Sequence, residues 1–149
     1  MIRRDVTSLF ELEHHMRMVV NIDVPELASA IEFYSDALGL KLNRILDEDV
    51  AELTGTSSVI YLLANAAGSV AGSLIGEVRR YSRHWTPVHI DFVVDDIAEA
   101  TDRAISAGAS QESECVEWRG SKCITFSDPF GHGFCLIEFA SETYTDGVV

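Results

Sequence analysis

The chain has 149 residues, enough for one domain or two small modules around a shared core. Its 47% hydrophobic content makes it globular rather than disordered, and its formal net charge of −13 excludes the basic face that a nucleic-acid partner needs. The cysteines, Cys115, Cys123 and Cys135, are odd in number and lack metal-type spacing, which fits a reducing cytoplasm better than a disulfide framework.

Residues 1–16 read as an N-terminal extension with a short helix. Glu11 and Glu13 break its apolar run, so it does not resemble a signal peptide, and His14 and His15 read as solvated. Val19 to Val24 alternates and is rich in β-branched residues, which predicts a strand. Pro25 and Glu26 open a helix with Leu27, Ala30, Ile31, Tyr34 and Leu38 on one face, stopped by Gly39. Strands follow at Leu40 to Leu46, Val50 to Leu53 and Ser57 to Ala64, completing a module over 17–67. Residues 68–85 form a linker ending in "RRYSRHW". The same order then returns in 86–140. A strand at Val88 to Val94 precedes a helix at Ile97 to Ala107 and a stop at Gly108. Strands at Glu114 to Trp118, Lys122 to Phe126 and Gly133 to Phe139 complete it, with a turn at "SDPFGHG". Residues 141–149 are a tail, and no apolar run approaches a membrane span.

The two modules are copies. Val24 matches Val94, and Glu26/Asp96, Leu27/Ile97, Ala28/Ala98 and Ala30/Ala100 fall into step. The expected fold is therefore α+β, two tandem βαβββ modules making a cupped, mostly antiparallel sheet. Strand period two then sorts the faces. Val20, Ile22 and Val24, with Val88, Ile90, Phe92 and Val94, should meet the helices. Val19, Asn21 and Asp23, with His89, Asp91 and Val93, should face the cup. On the last strands the alternatives for the cup are Val59, Tyr61 and Leu63, and Cys135, Ile137 and Phe139; parity alone leaves that choice open.

With "IEFYSDALGL", "HIDFVVDDIAEA" and "DPFGHGFCLIEF" in this order, the chain resembles the vicinal oxygen chelate superfamily of glyoxalase I, bleomycin-resistance proteins and extradiol dioxygenases. The resemblance runs from about Val19 to Phe139. It implies a cupped sheet, a homodimer, and in the metalloenzymes an ion held by His or Glu from the first and last strands. Those positions fall here on Val19, His89, Tyr61 and Cys135, of which only His89 keeps the expected donor. Valine supplies no ligand, and His with Cys alone is too few for a zinc site. Glu138 lies on the opposite face by parity. The expectation is no cofactor, with Zn, Ni, Mn or Fe at a rearranged site as the alternative.

His89, Asp91 and Tyr61 are the candidate catalytic residues: a base, its neighbour and an acid. Asn21, Asp23, Arg83, Trp85 and Cys135 are the candidate ligand contacts. Arg83, with Arg79 and Arg80, could dock an anionic group, and Trp85 could wall a planar one. Against these stand blander readings: His89 satisfied by a hydrogen bond, Tyr61 and Trp85 as packing, Cys135 as a small buried hydrophobe, the arginines as ion pairs, and His132 as a turn residue. The function expected is that of a cytoplasmic homodimer binding a small organic molecule, anionic or aromatic, without the usual metal. The alternatives are a metal-dependent lyase, epimerase or dioxygenase, and a metal-free enzyme.

Overall fold

The computed structural model describes residues 16–146. The expected N-terminal helix and the His14/His15 pair lie outside the described residues. The first module runs β1 (Val19–Val24), α1 (Leu27–Leu38), β2 (Lys41–Leu46), β3 (Val50–Thr54) and β4 (Val59–Ala64). Its sheet has the order β1-β4-β3-β2, with β1 parallel to β4 and the other pairs antiparallel. Then come β5 (Val70–Gly72) and β6 (Glu77–Val78), a small antiparallel hairpin. The second module runs β7 (Ile90–Val93), α2 (Ile97–Ala107), β8 (Ser110–Gln111), β9 (Val116–Trp118), β10 (Ser121–Ser127) and β11 (Gly133–Phe139). It repeats the topology as β7-β11-β10-β8, with β7 parallel to β11 and β9 also paired to β10.

The repeat extends to the helix ends. Glu26 and Asp96 are both N-caps, their carboxylates accepting from the amides two and three residues on. Gly39 and Gly108 close the helices with φ of 68° and 113°, left-handed values that any Cβ would disfavour. The helix-facing residues of both sheets form one core: Ile22, Val24, Ile60 and Leu62 of the first with Phe92, Phe126, Phe134 and Leu136 of the second. A hydrogen bond also joins the modules. The Tyr34 hydroxyl of α1 donates at 2.5 Å to Asp128, a fully buried carboxylate that also accepts from the Phe130 and His132 amides and the His132 ring. Burial and the Asp128 charge push the Tyr34 hydroxyl well above its usual pKa, so it stays a donor.

Two expectations are corrected. Val88 does not meet a helix: β7 starts at Ile90, and Val88 is exposed. The Thr86 hydroxyl bonds the Val88 carbonyl, which folds this stretch locally instead of into the ladder. The stretch 68–85, expected as a plain linker, contains the β5–β6 hairpin, and Arg79 after it returns to the first module.

Candidate functional site

β7 is an edge strand, and Asp91 on it, with His89 just before its start, lies on the face away from α2. The His89 Nε2 lies 3.1 Å from Asp91 Oδ1. The parallel register sets Cys135 beside Asp91, and the ligand atoms of His89, Asp91 and Cys135 all lie within 4.8 Å of one another. Cys135 is buried, its sulfur 3.5 Å from the Thr125 hydroxyl, and burial raises its thiol pKa. Cys123, on the neighbouring strand, is pushed up to about 12 by burial first. Neither is an activated nucleophile.

Trp85 fixes the His89 ring from one side, their centroids 4.7 Å apart. The Trp85 ring lies directly over Gly133, where any Cβ would overlap it. Arg83 packs over the same glycine and sits 5.3 Å from the Trp85 ring centre. Its guanidinium is paired to Glu112 through two bonds of 2.5 Å, which lower the Glu112 pKa and leave Arg83 engaged by this chain rather than by an anion.

The equivalent face of the first module is closed on itself. Asn21 stands across from Tyr61 as Asp91 does from Cys135, so Tyr61 and Cys135 occupy equivalent places. The Tyr61 hydroxyl donates at 2.8 Å to Glu52, which also accepts from Asn43 at 2.6 Å and twice from Arg44 at 3.1 Å. Arg44 first, then Asn43 and Tyr61, lower the Glu52 carboxyl to about 2, while the same bond raises Tyr61. Asp23 is held by Asn65 at 2.9 Å and Arg79 at 2.8 Å. Asn21 is exposed. Among the described residues, no hydrogen bond or ion pair joins the Tyr61 group to the His89 group. Glu52 is a participant the sequence reading missed, although strand parity from Val50 places it on the Tyr61 face.

A cavity of about 660 Å³ opens along the β7 edge. Val20, Leu40 and Ile60 of the first module and Phe92, Val94 and Leu136 of the second, on the helix-facing side, give it apolar walls, and His89 and Asp91 are among the residues at its β7 edge. Arg103 of α2 is its one cation, with no ion-pair partner among the described residues. Arg103 was not singled out from sequence, where it is one basic residue on an acidic helix.

A family model described as "Glyoxalase-like domain" matches residues 19–137, most of the chain. The chain belongs to the glyoxalase-like family. Solved structures share the fold of this glyoxalase-like protein. A glyoxalase/bleomycin resistance protein/dioxygenase family enzyme from Burkholderia phytofirmans is 20% identical, with a TM-score of 0.63 over 81% of this chain and 96% of its own. A fosfomycin resistance protein from Listeria monocytogenes is 18% identical, with a TM-score of 0.63 over 85% and 95%. A lactoylglutathione lyase from Agrobacterium tumefaciens is 20% identical, with a TM-score of 0.58 over 85% and 95%. No curated protein matches the chain.

Superfamily members often use divalent metals. In this glyoxalase-like protein the corresponding positions do not fit that ion: Val19 is hydrocarbon, and the Tyr61 hydroxyl is committed to Glu52. Glu138 offers no replacement. It accepts from the Ile97 amide at 3.1 Å and lies 3.8 Å from Lys122.

Proposed function

We propose that this protein binds a small organic molecule in the cavity along β7, without the four-position metal site of its superfamily. The observation that carries the reading is the composition of that cavity. Its volume of about 660 Å³ lies in the range that holds small ligands, and its apolar walls surround one cation, Arg103, with His89 and Asp91 at the β7 edge. A largely hydrophobic molecule with one anionic or hydrogen-bonding end matches those walls. Trp85 is a positioning residue, packing against His89 rather than lining the cavity. Were the bound molecule to be turned over, His89, with Asp91 3.1 Å away, is the available base. Tyr61 is not its acid partner within one chain.

A homodimer belongs to the same reading, supported by the exposed apolar side chains on the cup faces, Val19 of the first module and Val93, Val116 and Trp118 of the second. Sedimentation at micromolar protein measures it, and a strictly monomeric species contradicts it. The described residues contain no helix long and apolar enough to cross a membrane.

The test is a thermal-shift and calorimetric screen of apolar organic acids and aromatic compounds in the presence of a chelator. Binding that survives the chelator and falls about tenfold or more in both His89→Ala and Arg103→Ala supports the reading. Binding that needs added metal, or is indifferent to both substitutions, overturns it.

A further inference from the structure

Of the three arginines between Arg79 and Trp85, the chain itself engages two. Arg79 donates at 2.8 Å both to Asp23 and to the Val70 carbonyl, and Arg83 pairs with Glu112. Arg80 is exposed and has no hydrogen-bond or ion-pair partner among the described residues. It lines a separate cavity of about 360 Å³ with Glu77, His84 and His132, at the small end of the range for ligand sites. This cavity shares no residue with the one along β7. The chain there is pressed against the turn that follows β10. The His84 amide donates to the Gly131 carbonyl at 3.1 Å, and Gly131, at φ 94°, has no Cβ to block the Ser82 carbonyl. That close approach sets the His84 and His132 rings side by side, their centres 5.9 Å apart.

Hydrogen bonds decide which nitrogen of each ring carries the proton. His84 Nδ1 lies 3.0 Å from the Ser82 carbonyl, which only accepts. His132 Nδ1 lies 2.8 Å from Asp128, whose two oxygens also take the Tyr34 hydroxyl and the Phe130 and His132 amides. With four donors on one carboxylate, no site is left for a proton of its own, so this Nδ1 donates too. Each neutral ring then keeps Nε2 as a bare acceptor, and neither has a further partner among the described residues. The cavity thus holds one free cation, Arg80, one free acid, Glu77, and two bare acceptors. An anion alone leaves the imidazoles and Glu77 unanswered, and an amine alone leaves Arg80. We propose that this cavity is a second binding site, for a small zwitterion of the amino-acid class. Its carboxylate meets Arg80, its ammonium donates to the two imidazole nitrogens, and Glu77 adds the opposite charge at the rim. Asp23 also lines the cavity but is already held by Arg79 and Asn65.

The test is calorimetric titration of the full chain with the common amino acids, one at a time. Propylamine and propanoate serve as the halves that lack the carboxylate or the ammonium. The expected result is saturable binding of at least one amino acid, one molecule per chain, about tenfold or more tighter than either half. Arg80→Gln and His84→Ala, both at exposed positions, should each weaken it about tenfold or more with thermal unfolding unchanged. Arg119→Gln, which removes a cation outside the cavity, should leave it as it is. Long-range nitrogen–proton spectra of the imidazoles give an independent readout. In mildly alkaline buffer the His84 and His132 rings of the free protein should carry their proton on Nδ1, and both Nε2 signals should shift when that amino acid is added. Binding of no amino acid overturns the site. So does equal binding of either half, indifference to both substitutions, or rings protonated at Nε2 in the free protein.

Discussion

The two cup faces descend from the same repeat yet end in opposite states. In the first, the chain answers its own acids: Glu52 by Arg44, Asn43 and Tyr61, and Asp23 by Asn65 and Arg79. In the second, the His89–Asp91 pair lies beside a buried thiol at the edge of a cavity. Duplication gives a fold two copies of one surface, so one can be closed with internal hydrogen bonds while the other keeps valences for a ligand. The closed face should then act as a stability element, and the open one as a binding element.

Gly133→Ala should break that contrast most sharply. Its Cβ would overlap Trp85 and crowd Arg83, displacing the ring that holds His89. Expected are about 1–3 kcal/mol of destabilisation and loss of binding by about tenfold or more, measured by denaturation and calorimetry. An unchanged affinity would show that Trp85 does not position His89. Next in size is Glu52→Gln, which removes the charge at the centre of the first face. Glu52 is held at about 2 in the fold against 4.5 ordinarily, so its contribution is complete above about pH 4.5 and is lost as pH falls toward 2. The gap in Tm between wild type and Glu52→Gln should therefore be full at pH 6 and shrink below pH 4.5. A gap that grows on acidification contradicts the assigned network. Smallest is His89→Gln. His89 is about one-third exposed at its side chain, and its removal should move stability by no more than about 0.5 kcal/mol, seen by chemical denaturation. A larger loss would make the open face a structural one too.

The fold was legible because the sequence states it twice. Val19 to Val24 and Ile90 to Val94 alternate against the same neighbours, and the matched residues Glu26/Asp96 and Gly39/Gly108 became matched helix caps. The β5–β6 hairpin was not legible: strands of three and two residues with a bulge carry too few side chains to show a period. At the candidate site, the equivalence of Tyr61 and Cys135 could be read from the repeat. What parity could not supply was the partner each had taken. Tyr61 is bound by an acid on the adjacent strand, and Arg83 by Glu112 from 29 positions on, and both pairings depend on how the chain is laid side by side. Arg103 was hidden for a related reason, since only the packing of the two modules turns that face of α2 into a cavity wall.

The central claim is that binding belongs to the second module's open face. A crystal structure of the protein grown with an apolar acid from the binding screen tests it directly. The account predicts ligand density along β7 reaching Arg103. Density lodged instead against Tyr61 and Glu52, with the His89 face bare, would contradict it.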